Sequence, residues 1–185
     1  MIIGAIEAGG TKFVCGVGNE KGEILERISF PTETPEITLA KVVEFFKDKN
    51  IERLGISNID VQVYNALDKD DSLVGKADIV IADLPCSGLG IMGRKPDIRY
   101  NISPEKISDI IRLQRDILEV VSMYVKPGGT LVYSTCTINR SENEDNADWI
   151  CTSLGFTRDG EYVQMLPSPD KDNDGFFVAR LIKNS

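Results

Sequence analysis

The hydrophobic residues from about position 78 onward fall into short apolar runs separated by longer amphipathic segments. The runs at 78–81 and 129–134 have the length and composition of buried strands. Between them, a helix is predicted to begin with Ser103 as N-cap and Pro104 at its first position. Its apolar stripe comprises Ile107, Ile110, Ile111, Ile117, Leu118 and Val121. Two strands joined by a helix form a parallel pair, so their carboxyl ends should meet at one edge of a sheet.

A second helix and two more strands are predicted towards the C-terminus. The sequence Ser-Glu-Asn-Glu at 141–144 is a capping box, and Gly155 should end the helix that it starts. Its inward positions are Ala147, Ile150, Cys151 and Leu154. The acidic run 142–148 favours a helix N-terminus that complements the helix dipole over a metal site. The final segments, 162–166 and 175–182, should pair as antiparallel strands.

The first 49 residues have a different pattern, in which short strands follow one another closely. The predicted strands cover 2–6, 13–17 and 23–30, and turn signals between them indicate two successive hairpins. A helix should follow, with Thr34 as N-cap and Pro35 at its first position. The apolar positions of this helix are Leu39, Val42, Val43 and Phe46. A further strand is predicted over 60–64.

Each strand of the predicted parallel pair is followed closely by a cysteine. Cys86 stands behind Pro85, and Cys136 follows the strand at 129–134. Open α/β sheets bind ligands beyond the carboxyl ends of their strands, so the two thiols should converge on one crevice. For Cys15 and Cys151 the surrounding apolar pattern favours a buried structural thiol instead.

Two neighbouring thiols suit covalent catalysis on a pyrimidine. A thiolate that adds to the ring carbon next to carbon 5 of cytosine makes carbon 5 able to attack a methyl donor. Loss of the carbon 5 proton then expels the thiol. One cysteine can open this reaction while a second assists release of the product.

Several motifs carry a family resemblance. They are DLPCSGLG at 83–90, RKPDI at 94–98, PGGTLVYSTCT at 127–137 and DGFFVARL at 174–181. In this order they resemble the bacterial 16S ribosomal-RNA cytosine-5 methyltransferases, over about residues 50–185. The resemblance implies that Cys136 is the nucleophile and Cys86 the release cysteine. It also implies that Asp83 contacts either the methionine end of S-adenosylmethionine or the target base.

The same resemblance suggests further contacts and shows two departures. By this resemblance, the residues that contact the RNA substrate would be Pro85, Arg94 and Lys95. Asn65 occupies the place where the family usually carries an aspartate near the adenine of the cofactor, and it brings no charge. No glycine-rich strand-loop-helix for S-adenosylmethionine precedes residue 50.

The N-terminal segment resembles a second family. The run Gly9-Gly10-Thr11-Lys12 and the following sequence through Phe30-Pro31-Thr32 are similar to the start of the ROK sugar kinases, particularly the bacterial fructokinases. By this resemblance Gly9, Gly10, Thr11 and Lys12 would form a loop at the phosphates of ATP, since glycines let backbone N–H groups close on an anion. The chain would then be a chimera of a kinase-like segment, 1–49, and a methyltransferase-like segment, 50–185.

Composition narrows the possible functions. Histidine is absent, which excludes Ser-His-Asp and Cys-His mechanisms. The net charge of −8 predicts weak unaided binding to RNA, because phosphate recognition depends on Lys and Arg. No apolar run approaches the roughly 20 residues of a membrane span. The four cysteines are not closely spaced in pairs, which indicates a protein of the reducing cytoplasm rather than one stabilised by disulfides.

The predicted fold class is therefore α/β, with a three-layer mixed sheet in a truncated Rossmann-like methyltransferase fold. The N-terminal hairpins would either extend this sheet or form a small lobe beside it. Three functions stay open: an S-adenosylmethionine-dependent rRNA cytosine-5 methyltransferase or its inactive remnant, an ATP-binding sugar-kinase fragment, and a folded chimera without activity. No metal is predicted, and the oligomeric state is not indicated.

Overall fold

A computed structural model describes residues 2–8, 12–19, 21, 23–47, 64–168, 170 and 173–185 of the chain. The chain divides into two units, residues 1–64 and 65–185, and each is described by itself. The predicted boundary between residues 49 and 50 and nearly all of the predicted strand at 60–64 lie outside the described residues. The boundary stays a prediction.

The first unit is an antiparallel sheet with one helix. The strands are β1 (Ile2–Ala8), β2 (Lys12–Asn19) and β3 (Ile24–Pro31), and they pair in the order β1-β2-β3. These are the two successive hairpins that the sequence predicts. The three strands form a sheet of their own.

Helix α1 (Pro35–Lys47) begins at the predicted proline. Just before it, the Glu33 N–H donates to the Thr38 hydroxyl at 2.8 Å, which ties the entering chain to the first turn of the helix. The core of this unit comprises Cys15, Val17, Phe30, Val42 and Phe45, with Phe13 stacked on Phe30. Cys15 is completely buried, which confirms its predicted structural place.

The second unit contains a mixed sheet of five strands. They are β4 (Ala77–Asp83), β5 (Val125–Thr135), β6 (Phe156–Arg158), β7 (Val163–Met165) and β8 (Phe176–Lys183). Strands β4 and β5 are parallel, as predicted, and β8 runs antiparallel to β5. Strand β7 pairs antiparallel with β8, which confirms the predicted C-terminal pair. Strand β6 also pairs antiparallel with β8 and was not predicted.

Helices connect these strands. Between β4 and β5 lie a 3₁₀ turn (Leu89–Ile91), the short helix α2 (Ile98–Asn101) and the long helix α3 (Pro104–Tyr124). Ser103 caps α3 by accepting a hydrogen bond from the Lys106 N–H, as its sequence predicts. Helix α4 (Glu144–Ser153) follows β5, and Gly155 just beyond it has a positive φ of 74°. The predicted stop at Gly155 is confirmed.

The core of the second unit lies between the sheet and helices α3 and α4. Its buried residues include Ile117 and Leu118 of α3, Leu131 and Tyr133 of β5, and Ala147 and Ile150 of α4. The result is a mixed α/β fold of truncated Rossmann-like type, which confirms that part of the predicted fold class. In the described part of the chain, both core helices pack on one face of the sheet, and the third layer stays a prediction. None of the helices among the described residues combines the length and hydrophobicity of a membrane span.

Two local predictions need correction. Strand β4 forms where the apolar run predicts it, but Ile79 and Ile81 are 62% and 73% exposed. The reason is that α3 and α4 pack on the opposite face of the sheet, where Val80 and Ala82 point. The prediction of a capping box at 141–144 is also wrong, since helix α4 has Asn143 at its N-cap rather than Ser141. Asn143 and Glu142 turn inward and hydrogen-bond to other segments.

Candidate active site

Two cysteine side chains meet at the carboxyl ends of strands β4 and β5. The parallel register aligns Asp83 with Ser134, so the two chains leave the sheet side by side. Cys86 follows Asp83 by three residues and Cys136 follows Ser134 by two. Their sulfur atoms are 3.0 Å apart, which confirms the predicted convergence. All four cysteines of the chain are free thiols.

Backbone contacts hold three loops together around this pair. The Leu84 N–H donates to the Ser134 carbonyl at 3.1 Å, and the Gly90 N–H donates to the Cys136 carbonyl at 3.1 Å. The Gly175 N–H in turn donates to the Gly90 carbonyl at 2.8 Å. The loop after β4, the loop after β5 and the segment before β8 therefore form one layer over the sheet edge.

The two thiols affect each other electrostatically. The Cys86 S–H can donate to the Cys136 sulfur, and this hydrogen bond lowers the pKa of Cys136 below that of an ordinary cysteine. Burial and the nearby Asp83 charge oppose the lowering, while the positive charge of Lys95 adds to it. The same hydrogen bond, together with burial, raises the pKa of Cys86. The thiolate is the nucleophilic form of a cysteine, so these opposite shifts favour Cys136 over Cys86 as the more reactive thiol. The catalytic roles of both residues stay predictions.

Asp83 lies at the last position of β4, close to the thiols. Its Oδ1 atom accepts a hydrogen bond from the Ser134 hydroxyl at 2.9 Å, which orients an exposed carboxylate at the sheet edge. Asn65 is also exposed, but its side-chain oxygen accepts from the Leu67 N–H at 3.2 Å in a local turn. The predicted contacts of both residues with a cofactor stay predictions.

The residues predicted to contact RNA lie in and after the Cys86 loop. Pro85 is exposed, and its carbonyl accepts from the Gln114 side chain at 2.9 Å. Arg94 forms an ion pair with Asp174, with 3.2 Å between Nε and Oδ2. Lys95 is partly buried, and its charge reaches Cys136. Their roles in substrate binding stay predictions.

The predicted phosphate loop falls largely outside the residues that the structure describes. Gly9, Gly10 and Thr11 lie outside the described residues, and Lys12 is the first residue of β2. The kinase-like interpretation of residues 1–49 therefore stays a prediction. Within the described part of the chain, no group of three or more acidic, cysteine or histidine side chains is arranged to hold a metal ion.

A buried polar network behind the thiols was missed by the sequence interpretation. Its central members, Gln114, Glu142, Asn143 and Asn146, are all completely buried. One signal was available: Gln114 lies on the helical stripe between Ile111 and Leu118, where a polar residue is unusual. The acidic run that contains Glu142 did not indicate that this residue is buried, because acidic residues are common in the exposed first turn of a helix.

Comparison with known proteins is consistent with this geometry. A family model described as 16S rRNA methyltransferase RsmB/F matches residues 41–182. The chain belongs to this family. Ribosomal RNA small subunit methyltransferase F of Salmonella paratyphi A is 37% identical over an alignment of 157 residues, and the match covers 74% of this chain and 32% of that protein. The corresponding protein of Klebsiella pneumoniae is 34% identical over the same shares of both chains.

A solved structure shows the same fold. The crystal structure of NSun6 from Pyrococcus horikoshii with SFG matches 83% of this chain and 40% of its own. The TM-score is 0.61 and the sequence identity is 26%. The chain spans about a third of the length of the curated relatives that it matches.

Proposed function

We propose that this RsmB/F chain carries the two-cysteine centre of an S-adenosylmethionine-dependent rRNA cytosine-5 methyltransferase. The observation that carries the proposal is the 3.0 Å approach of the Cys86 and Cys136 sulfur atoms beyond two parallel strands. The family match over residues 41–182 supports the same reaction class. A buried structural pair would account for two neighbouring thiols, but it would not account for their position at the ligand-binding edge of the sheet.

Cys136 is the nucleophile in this proposal. Its thiolate forms a bond to the ring carbon next to carbon 5 of a cytosine that has left the base stack. Carbon 5 then takes up the methyl group that S-adenosylmethionine supplies when it is bound. Loss of the carbon 5 proton to water restores the ring double bond and breaks the bond to sulfur, so that Cys136 leaves as a thiolate.

Cys86 assists the last step. The two sulfur atoms are within hydrogen-bond distance, and with Cys86 as the donor this hydrogen bond stabilises the negative charge that the Cys136 sulfur regains when the carbon–sulfur bond breaks. A leaving group with a lowered pKa departs more readily, and Cys86 lowers the pKa of Cys136. Cys86 is therefore the release cysteine.

The described residues fit one end of S-adenosylmethionine. The exposed Asp83 carboxylate, oriented by Ser134, can accept from the ammonium group of the methionine part. The neighbour NSun6 was solved with SFG, an S-adenosylmethionine analogue, which supports a cofactor of this kind. Asn65 would contact the adenine edge. These residues bind and orient the cofactor, and the chemistry on cytosine belongs to the two thiols.

RNA binding by the isolated chain should be weak. The net charge is −8, and the basic cluster at the site consists of Arg94, Lys95 and Arg99. Arg94 is already paired with Asp174, which reduces the charge available to phosphates. A reducing cytoplasm would keep both thiols free for the reaction.

Removal of each cysteine should have opposite effects on a covalent RNA adduct. With S-adenosylmethionine and cytosine-containing rRNA fragments, the Cys86→Ala variant should accumulate a protein–RNA adduct, because Cys136 still forms the adduct, although more slowly, while release is slowed further. The Cys136→Ala variant should form no adduct. Denaturing gel electrophoresis separates the adduct from free protein, and Cys151→Ala serves as the control that should behave as wild type. Adducts that persist in Cys136→Ala would contradict the assignment of the nucleophile.

Titration calorimetry tests the cofactor. We expect S-adenosylhomocysteine to bind the intact chain and the Asp83→Asn variant to bind it at least about tenfold more weakly, since a hydrogen bond to a charged group contributes about 1.5–3 kcal/mol. ATP, titrated in parallel, should produce no binding heat. Binding of ATP alone would favour the kinase-like alternative. Absence of binding by either compound would favour the folded chimera without activity.

A further inference from the structure

Glu142 is a charged residue in a completely buried position. Arg140, the basic residue nearest to it in sequence, forms an ion pair with Asp145 instead. A buried carboxylate is costly unless polar partners satisfy it, so its surroundings must replace the water that it loses on folding. The hydrogen bonds of Glu142 show which parts of the molecule provide that replacement.

Both carboxylate oxygens of Glu142 accept two hydrogen bonds. Oε1 accepts from the Ser87 hydroxyl at 2.6 Å and from the Asn139 side chain at 2.9 Å. Oε2 accepts from the Ser87 N–H at 2.8 Å and from the Gln114 side chain at 3.3 Å. The donors belong to three different segments: the Cys86 loop, the Cys136 loop and helix α3.

The same network reaches the residues that flank both thiols. Ser87 directly follows Cys86, and Thr137 directly follows Cys136. Their hydroxyl groups are 2.8 Å apart, and Ser87 in turn donates to Glu142. On the other side of Cys86, the Gln114 amide donates to the Pro85 carbonyl at 2.9 Å. Hydrogen bonds to Pro85 and Ser87, the two residues adjacent to Cys86, therefore fix the backbone on both sides of this cysteine.

We propose that Glu142 is a positioning residue, which clamps the Cys86 loop onto the Cys136 loop and so sets the distance between the two sulfur atoms. This inference rests on the proposed function in one respect: it assumes that the two thiols form the active site. Glu142 itself does not touch the sulfurs. It acts through Ser87, Thr137 and Gln114.

A carboxylate is required at this position because every partner presents a donor. Glutamine has nearly the same shape, but it would turn an NH₂ group towards either the Ser87 N–H or the Asn139 amide. A donor facing a donor forms no hydrogen bond, and a buried unpaired donor costs about 1–3 kcal/mol. The Cys86 loop should then move away from the Cys136 loop to relieve the mismatch.

The decisive variant is Glu142→Gln, measured by thiol chemistry on the intact chain. Iodoacetamide labels Cys136, and mass spectrometry of the Cys136 peptide gives its alkylation rate as a function of pH. Dibromobimane becomes fluorescent when it bridges two nearby thiols. In Glu142→Gln we expect the midpoint of the Cys136 profile to rise towards that of an ordinary cysteine. We also expect loss of bridging, because the two sulfur atoms move apart when the loops separate.

A matched control is Glu144→Gln, which makes the same chemical change two residues away in the first turn of α4. This variant should keep the wild-type profile and the wild-type bridging yield. A second test variant, Ser87→Ala, leaves the carboxylate in place and removes only the hydroxyl link between the two loops. It should shift both readouts in the same direction as Glu142→Gln, and it carries the test if Glu142→Gln does not fold.

Circular dichroism establishes which variants are folded before the thiol measurements are compared. The proposal is overturned if the folded variants of Glu142 and Ser87 retain the wild-type pH profile and bridging, because the carboxylate then contributes to stability alone. Neither reagent needs RNA or S-adenosylmethionine. Normal thiol coupling in a chain that transfers no methyl group would therefore contradict the proposed function while leaving the role of Glu142 intact.

Discussion

Replacing Cys86 by alanine should raise the pKa of the Cys136 thiol and make Cys136 react more slowly at neutral pH. The hydrogen bond from Cys86 is the largest of the effects that lower this pKa. With the donor gone, burial and the charge of Asp83 remain, and both raise the pKa. Below both pKa values, each unit of increase lowers the thiolate fraction, and with it the alkylation rate, about tenfold. Alkylation of Cys136 by iodoacetamide between pH 5 and pH 10 measures the shift.

The matched variant for this experiment is Cys86→Ser. A hydroxyl group can still donate to the Cys136 thiolate, so the serine variant should lie between wild type and Cys86→Ala. Cys151→Ala removes a thiol on helix α4 and should leave the profile unchanged. Identical Cys136 profiles in wild type and Cys86→Ala would show that the two thiols are close but not coupled.

Substitution of Gly90 by alanine should destabilise the second unit and disturb the thiol pair together. A Cβ atom on Gly90 would lie 2.5 Å from the Gly175 carbonyl oxygen and 2.7 Å from the Cys136 carbonyl oxygen. Both neighbours are backbone, so the clash can be relieved only if one of the loops moves. Overpacking of this kind costs about 1–3 kcal/mol in free energy of unfolding.

Chemical denaturation followed by tryptophan fluorescence measures this cost directly. Trp149 on helix α4 is the single tryptophan of the chain, and it packs against the core of the second unit. Gly93→Ala is the control, because nothing lies within 4 Å of a Cβ atom at that position. Dibromobimane bridging should fall in Gly90→Ala and not in Gly93→Ala. A Gly90→Ala protein as stable as wild type would show that the three loops adjust freely.

The position of the thiols could be predicted from local patterns. The runs at 78–81 and 129–134 are short and apolar, and the helix between them has a clear stripe and cap. A strand, a helix and a second strand leave few arrangements, and the parallel one places Cys86 and Cys136 at the same edge. The observed separation of 3.0 Å agrees with this derivation. The catalytic roles of the two residues stay predictions that rest on the family.

The exposure of strand β4 was less predictable. Its apolar run fits a strand that is covered on both faces, yet α3 and α4 pack on the same face of the sheet. Ile79 and Ile81 therefore remain exposed. An apolar sequence shows that a segment favours burial, but it does not show how many layers the rest of the chain places around it.

The sequence by itself determined that two cysteines follow two neighbouring parallel strands, because strand length, helix capping and crossover handedness depend on residues close together in the chain. The tertiary structure alone decided that Glu142 turns inward to join the two thiol loops. Its partners Gln114 and Ser87 are 28 and 55 residues away. A polar side chain is buried when distant segments supply its hydrogen bonds, and no local pattern records which segments those are.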